Sequence, residues 1–142
     1  MKIAFDIDGT LADCTHRRHY VEREPADRDW CAFHEACGAD EPSPAVLAVL
    51  LALHAAGHKI AFFSGRGEQY RNVTEFWLAL HGVPAEVPVY LRARNDNRAD
   101  HIVKAEYLEH FLPDLIFDDR QSVVDMWRAR GIPCFQVAPG DF

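Results

Sequence analysis

Acidic residues end two apolar runs of the chain, at positions where a buried strand would stop. Asp6 and Asp8 follow the first run, and Asp118 and Asp119 follow a later one. An unpaired carboxylate costs several kcal/mol when it is buried, so packing does not explain acidic residues at the end of a buried strand. The pattern predicts that a cation, most simply a metal ion, lies beside these carboxylates.

The elements that must position these residues are indicated by apolar runs that alternate with longer amphipathic segments. Strands are predicted for the apolar run that breaks at Gly9 and for residues 58–64, 86–91, 115–117 and 133–137. Helices are predicted for residues 45–56, 68–81, 100–111 and 121–130. Strands that alternate with helices of about ten or more residues form parallel sheets. The sequence therefore predicts an α/β fold with a Rossmann-like parallel sheet of five strands.

Polar side chains lie at the ends of three predicted strands that are otherwise apolar. They are Asp6, Ser64 and Asp118. In an open parallel sheet, sites form beyond the carboxyl ends of the strands. We expect these three residues to converge on one site.

Residues 13–44 differ in character from the rest of the chain, because Arg, His, Glu and Asp are frequent there. Trp30, Phe33 and Cys37 recur at helical spacing, and Asp29 is placed to cap a short helix. We interpret this segment as a small lid, inserted after the first strand into a single domain that spans residues 1–142. It is called the lid below.

Composition and charge limit the function classes. The chain has 142 residues, of which 49% are hydrophobic, and a formal net charge of −7, which argues against coating nucleic acid through the overall field. A local basic groove is still compatible with this charge. The most apolar stretch, residues 45–56, is too short to span a bilayer, and the N-terminus lacks the pattern of a signal peptide. We therefore expect a cytoplasmic protein that does not enter the membrane.

The lid holds two groups of residues that could ligate a metal. Cys31, His34 and Cys37 recur every three residues, as in some zinc sites, but the favoured interpretation is a helix face with small thiols. His16 and His19 are also three apart, and no acidic or cysteine partner is evident for them. A solvated position or the rim of a substrate site is favoured for both histidines.

The order of motifs along the chain resembles that of the haloacid dehalogenase superfamily of phosphatases. The matching residues are Asp6-Ile-Asp-Gly-Thr10, Ser64-Gly-Arg66, a helical lysine at Lys104, and Asp118-Asp119 at a strand end. Longer stretches resemble the 3'-phosphatase domain of phage polynucleotide kinase. These are Asp100-His-Ile-Val-Lys104, Asp118-Asp-Arg120 with Val124-Asp-Met-Trp127, and the tail Cys134-Phe-Gln-Val-Ala-Pro-Gly-Asp-Phe142.

The resemblance implies a covalent mechanism. Asp6 would attack phosphorus and form an aspartyl-phosphate, and Asp8 would protonate the leaving alkoxide and then activate water. Lys104 would neutralise the nucleophile and the phosphate together. Because a free Asp has a pKa of about 3.9, we expect crowding with the other carboxylates to raise the pKa of Asp8.

The same resemblance implies a Mg²⁺ ion. The ligands would be the side chain of Asp6, the backbone carbonyl of Asp8 and the side chain of Asp118. Asp119 would be either a second metal contact or a group that orients Lys104. Mg²⁺ is a hard cation that prefers oxygen ligands, and it would offset the repulsion between the carboxylates and a phosphate.

Phosphate and substrate contacts are expected from polar groups around these carboxylates. By resemblance they are the Ser64 hydroxyl, the Gly65 N–H, Thr10 and Arg66, with Arg17 and Arg92 touching substrate near the lid and Asp100 holding them. Arg66 can bind phosphate through two hydrogen bonds. Tyr20 is a candidate for stacking on a base, and packing within the lid is an equal alternative for it.

The function that the resemblance implies is removal of 3'-phosphates from polynucleotide ends or nucleotides. One alternative is a small-molecule or 5'-nucleotide phosphatase on the same scaffold, and another is a binding protein on an inactive scaffold. Nothing in the sequence matches a nucleotide-binding P-loop, so we expect a stand-alone phosphatase whose partner in end repair would be a separate kinase or ligase. The lid is longer than in the phage enzyme, which leaves RNA, DNA and mononucleotide substrates all open.

Overall fold

The computed structural model describes residues 1–140, and one parallel sheet organises them. The strands are β1 (Lys2–Phe5), β2 (Ala12–Asp13), β3 (Glu41–Pro42), β4 (Lys59–Gly67), β5 (Val89–Arg92), β6 (Leu115–Asp118) and β7 (Cys134–Gln136). Five of them form the main sheet in the order β5-β4-β1-β6-β7, and every neighbouring pair is parallel. The α/β fold predicted from the sequence is confirmed.

The helices lie close to their predicted positions. They are α1 (Trp30–Glu35), α2 (Pro44–Ala55), α3 (Arg71–Leu80), α4 (Asp100–Glu106) and α5 (Gln121–Ala129). Two predicted helices are divided in the structure: a 3₁₀ turn at Glu68–Tyr70 precedes α3, and another at Tyr107–Glu109 follows α4. None of the helices within residues 1–140 is long and apolar enough to cross a membrane.

The central strand β1 is buried on both faces, as expected for a parallel sheet covered by helices on both sides. Side chains that alternate along β1 belong to different cores. Phe5 packs in a cluster with Leu50 of α2 and Trp77 of α3. Ala4 packs in the opposite cluster, which includes Trp127 of α5. The two helical layers therefore fix β1, and with it the position of the acidic residues at its end.

Strand β4 is longer than predicted, because it continues to Gly67 rather than ending at Ser64. The added residues pair with β5, where Gly67 lies opposite Arg92 after a shift in register. Arg66 consequently lies on a strand and not in the turn that the glycines on either side of it suggested.

The lid begins and ends in a short antiparallel ribbon in which Ala12 of β2 pairs with Pro42 of β3. Helix α1 is capped as predicted, since the Asp29 side chain accepts a hydrogen bond of 2.9 Å from the Ala32 N–H. Phe33 lies at the centre of a small lid core with Cys14 and Val21. The last two residues of the matching tail, Asp141 and Phe142, lie outside the described residues.

Candidate active site

The turn that follows β1 presents both acidic residues of the first motif. Gly9 adopts a positive φ of 86°, and its N–H donates to the Ala12 carbonyl over 2.9 Å. A Cβ atom added to Gly9 would lie 2.3 Å from Oδ2 of Asp119. Glycine is therefore required here both by the backbone conformation and by the close approach of the turn to Asp119.

Asp6 is held by a lysine that also reaches the end of β6. Lys104 Nζ donates to Oδ1 of Asp6 over 2.7 Å and to Oδ2 of Asp118 over 2.9 Å. Burial alone would lower the pKa of Lys104. The negative charges of Asp118 and Asp6 raise this pKa by more than burial lowers it, so the net pKa lies above the ordinary value and the amine stays charged. For Asp6, burial is the strongest influence and raises the pKa. The charge of Lys104 lowers this pKa in part, the charge of Asp118 raises it, and the net pKa lies well above the usual range.

Asp119 completes an acidic cluster. Its Oδ1 accepts a hydrogen bond of 3.3 Å from the Thr10 hydroxyl, while its Oδ2 is buried and has no hydrogen-bond partner among residues 1–140. Asp6, Asp118 and Asp119 each offer a carboxylate oxygen, and these oxygens lie within 4.8 Å of one another. A buried orphan oxygen among three carboxylates fits a hard divalent cation. Lys104 donates its hydrogen bonds to Asp6 and Asp118 and not to Asp119. Of the two roles considered for Asp119, this favours contact with a metal ion over orientation of the lysine.

Asp8 faces two buried arginines. Nη2 of Arg66 donates to Oδ1 of Asp8 over 2.6 Å, and Nη2 of Arg17 donates to the same oxygen. Both guanidinium groups also bond to Asp40, with 2.7 Å from Nε of Arg17 and 3.2 Å from Nη2 of Arg66. Two buried cations thus lie between two buried carboxylates.

This arrangement corrects the expected titration of Asp8. Burial raises the pKa of Asp8, but the positive charges of Arg66 and Arg17 lower it more strongly, and the net pKa lies far below the usual range. The expectation that carboxylate crowding raises this pKa is wrong, because the arginines bond directly to Asp8. Burial and crowding raise the pKa of Asp6 and Asp119 instead.

Asp40 is a site residue that the sequence analysis missed. Its side chain is fully buried, its backbone carbonyl accepts a hydrogen bond of 2.7 Å from Nε1 of Trp77, and its Oδ1 lies 2.9 Å from Nε2 of His16. A single aspartate in a polar segment, with a glycine two residues before it and a proline two residues after it, gives no signal of burial. Only the return path of the lid brings it to Arg17 and Arg66.

The remaining predicted residues are divided between the site and its support. Ser64 is buried, and its hydroxyl accepts a hydrogen bond of 3.2 Å from the Arg66 N–H. The Gly65 carbonyl accepts one of 3.0 Å from Nε of Arg92, whose Nη2 bonds to Asp100. Asp100 is placed as predicted for Arg92 but makes no hydrogen bond to Arg17 within the described residues. Arg92 therefore stabilises the part of the cleft lining around Gly65 by linking it to Asp100.

A cleft of about 530 Å³ opens above the carboxylates, and Asp6, Asp8 and Lys104 lie in its lining. Tyr20 is not part of that lining, and its ring packs against His19 with centroids 4.0 Å apart. Within residues 1–140, neither the lid thiols nor its histidines form a cluster that could hold a metal ion.

Comparison with known proteins identifies relatives of this site. A family model described as the polynucleotide kinase PNKP phosphatase domain matches residues 1–142. A chain in the solved structure of the Pnkp1/Rnl/Hen1 RNA repair complex is 32% identical with a TM-score of 0.81, over 99% of this chain and 43% of that chain. The present chain thus spans less than half the length of that relative.

Two further relatives are more distant. The class C acid phosphatase from Bacillus anthracis, solved with tungstate bound, is 17% identical with a TM-score of 0.68, over 99% of this chain and 67% of that one, and shows the fold alone. A protein of Bacillus cereus described as "Putative nucleotidase" is 23% identical over 155 residues, covering 88% of this chain and 79% of its own length. Since the family model matches every residue, the chain belongs to the PNKP phosphatase-domain family of haloacid dehalogenase-like phosphatases.

Proposed function

We propose that this protein is a Mg²⁺-dependent phosphomonoesterase that removes 3'-phosphates from polynucleotide ends or nucleotides through an aspartyl-phosphate on Asp6. The observation that carries the proposal is the placement of Asp6. It lies in the lining of the cleft, is bonded to the charged amine of Lys104 over 2.7 Å, and offers a carboxylate oxygen within 4.8 Å of those of Asp118 and Asp119. These are the groups that a carboxylate nucleophile and an incoming phosphate both need.

In the first half of the reaction, a carboxylate oxygen of Asp6 forms a bond to phosphorus, and the bond between phosphorus and the ester oxygen breaks. The leaving alkoxide takes a proton from Asp8. In the second half, a water molecule gives a proton to Asp8 and attacks phosphorus, which releases inorganic phosphate and restores Asp6. Lys104 offsets the negative charge that gathers around the phosphoryl group in both halves.

Asp8 can exchange a proton only if its carboxylate loosens its bonds to the arginines, which hold it ionised in the free protein. A phosphate group offers other oxygen acceptors to Arg17 and Arg66, and arginine binds phosphate readily through paired hydrogen bonds. Substrate binding would therefore release Asp8 to take up a proton from water, and this is the proton that it gives to the leaving alkoxide. In this proposal Arg17 and Arg66, which are buried against Asp8 in the free protein, would contact the phosphate once those bonds loosen.

The metal would be held by the side chains of Asp6, Asp118 and Asp119 and by the backbone carbonyl of Asp8. When bound, Mg²⁺ supplies the positive charge that lets a phosphate approach the acidic cluster. Thr10 would keep Asp119 in place through the 3.3 Å hydrogen bond to its Oδ1.

The substrate assignment draws support from the family and from the similarity to a chain of an RNA repair complex. By analogy with that complex, this phosphatase would work beside a separate kinase or ligase. A 5'-nucleotide phosphatase is the second candidate, and the similarity to the "Putative nucleotidase" favours it.

The substrate is tested by phosphate release in the presence of Mg²⁺. The panel compares a 3'-phosphorylated oligonucleotide, a 3'-mononucleotide, a 5'-mononucleotide and an aryl phosphate, with EDTA as the metal control. We expect the 3'-phosphates to be hydrolysed much faster than the 5'-nucleotide, and EDTA to abolish turnover. A strong preference for the 5'-nucleotide would support the second candidate, and activity that survives EDTA would remove the metal from the mechanism.

The nucleophile is tested by Asp6→Asn, which keeps the shape of the side chain but removes the attacking carboxylate. We expect kcat to fall by about 10³-fold or more, because the substitution removes the attacking oxygen, and Asp118, which Lys104 also contacts over 2.9 Å, ends a different strand. Asp125→Asn, on the exposed face of α5, is the matched control and should retain wild-type kcat. Hydrolysis by Asp6→Asn at the wild-type rate would show that Asp6 is not the nucleophile.

A further inference from the structure

The cleft is larger than a phosphoryl group requires. Its volume of about 530 Å³ lies within the roughly 300–1,000 Å³ of pockets that bury a whole small molecule. The catalytic groups lie in one part of the lining, so the rest must accept the portion of the substrate that carries the phosphate.

One wall of the cleft is aromatic. Trp30 and His34 lie one turn apart on α1, with ring centroids 6.2 Å apart and ring planes inclined by 29°. The ring centroids of His34 and Tyr70 are 5.5 Å apart. All three side chains are partly exposed and line the cleft. Phe33 also reaches the lining, but it is only 1% exposed and forms the core of the lid. Trp30, His34 and Tyr70 are called the aromatic wall below.

The aromatic wall is uncharged near neutral pH. Burial lowers the pKa of His34 to about 4, and burial together with the Cys31 thiol raises the pKa of Tyr70 to about 12. Neutral rings present π-faces rather than ionic contacts. The guanidinium of Arg120 lies over the Trp30 ring, 5.7 Å from its centre, so a base that stacks on this face takes the place of the guanidinium, which can then bond to the anionic part of the ligand.

Another part of the lining provides hydrogen-bonding groups. It is formed by the segment from Arg92 to His101, in which Asn95 takes a left-handed conformation with φ 64° and Asn97 is exposed. Amide side chains can donate to and accept from a base edge or a sugar hydroxyl. A cleft whose lining combines aromatic rings with amides matches a nucleoside better than a sugar phosphate or a phosphopeptide.

We propose that the aromatic wall, with Trp30 as its main contact, stacks on the base of the nucleotide whose phosphate is hydrolysed. This inference rests on the proposed function and narrows its substrate to phosphates that carry a base next to the ester. Aromatic side chains stack on bases with little dependence on sequence, so the protein should accept all four bases at an unpaired end. The base-stacking residue is thus Trp30, and Tyr20 packs inside the lid.

The kinetic test compares a nucleoside 3'-monophosphate with ribose 3-phosphate, which lacks the base. We expect kcat/KM to be higher for the nucleotide than for ribose 3-phosphate. In Trp30→Leu, the ratio of the first value to the second should fall roughly 5- to 150-fold, the range for the loss of one stacked base. Trp30→Phe, which keeps a stacking ring, should retain most of the ratio. Phe76→Leu removes an aromatic ring that is 65% exposed on α3, outside the cleft, and should leave the ratio unchanged. An unchanged ratio in Trp30→Leu would overturn the inference.

A binding test separates this inference from the catalytic proposal. Trp77 and Trp127 are 2% and 0% exposed, so Trp30 is the tryptophan that a ligand can reach. In Asp6→Asn with Mg²⁺, nucleoside 3'-monophosphate should quench tryptophan fluorescence saturably, ribose 3-phosphate should not, and adding Trp30→Phe should abolish the quenching. Quenching without turnover in the wild type would refute the phosphatase and support the subsite. Turnover of nucleotide and ribose 3-phosphate with equal kcat/KM, and no quenching, would refute the subsite alone.

Discussion

Buried charges at the site are divided between two networks that meet at the turn after β1. In one, Lys104 lies between Asp6 and Asp118, at the ends of β1 and β6. In the other, Arg17 and Arg66 lie between Asp8 and a carboxylate of the lid. Each network is stable only while its charges are paired, because a single uncompensated charge in a buried site is strongly destabilising.

The role of Asp40 in the second network leads to a prediction. Asp40→Asn removes one of two negative charges while both buried guanidinium groups remain. We expect the free energy of unfolding to fall by about 3–5 kcal/mol, the usual effect of removing one partner from a buried ion pair. We also expect kcat/KM to fall, because Arg17 and Arg66 lose an anchor. Urea unfolding measures the first effect and steady-state kinetics the second.

The control for this substitution is Asp27→Asn, which changes an exposed carboxylate of the same lid. It should change stability by less than about 0.5 kcal/mol. Equal stability of Asp40→Asn and Asp27→Asn would contradict the paired-charge interpretation of Asp40.

Some residues of the site could be predicted from the sequence because they belong to motifs with a fixed spacing. Asp6, Ser64 and Asp118 could be placed together since each ends a predicted strand, and the structure brings them to one edge of the sheet. The pKa of Asp8 could not be predicted, because its direction depends on which charges are nearest. That depends on the path of a lid whose fold leaves little periodic signal, and Asp40 was missed for the same reason.

At the scale of elements, the sheet and helices were predictable because their apolar periodicity is strong. The sequence did not reveal that β4 extends through Arg66, since glycines on both sides indicated a turn. Pairing with β5 overrides that local preference. The extension matters for the site, because it fixes the Arg66 backbone on the sheet while its side chain reaches Asp8.

The turn after β1 is the element on which both charge networks depend, and Gly9 tests it. Gly9→Ala should destabilise the protein through its positive φ and also displace Asp119, whose Oδ2 would lie 2.3 Å from the new Cβ. Gly57→Ala is a matched control, because Gly57 has φ 85° and no atom within 4 Å of an added Cβ. We expect Gly57→Ala to cost about 1–2 kcal/mol and to leave kcat unaffected.

Gly9→Ala should cost more than Gly57→Ala and should lower both kcat and the stabilisation by Mg²⁺. Thermal unfolding with and without Mg²⁺, together with phosphate release, measures the difference. Equal costs and full activity in both variants would show that the close approach of Gly9 to Asp119 has no role in the site.

At the scale of the whole molecule, stability depends on the acidic cluster because the folded chain must hold its carboxylates together. Burial and the charge of Asp118 raise the pKa of Asp119 above its ordinary value of 3.8. The folded protein therefore binds this proton more tightly than the unfolded chain does. Ionisation of Asp119 at neutral pH consequently opposes folding when no metal is bound. The lid and the sheet share the Asp40 network, so we propose that residues 1–140 unfold as a single domain.

Asp119→Asn should reverse its effect on stability when metal is added. In EDTA at pH 7 we expect the variant to be more stable than the wild type, because it removes the opposing charge. This advantage should shrink as the pH falls through the raised pKa of Asp119 towards 3.8, where the wild type also becomes neutral. With Mg²⁺ at 100 times its Kd, the wild type should gain about 2.7 kcal/mol and become the more stable protein, since the variant has lost a ligand. Urea unfolding at several pH values, with EDTA or Mg²⁺ and with Asp125→Asn as control, measures these changes. Equal stabilisation of both proteins by Mg²⁺ would show that Asp119 does not contribute to the metal site.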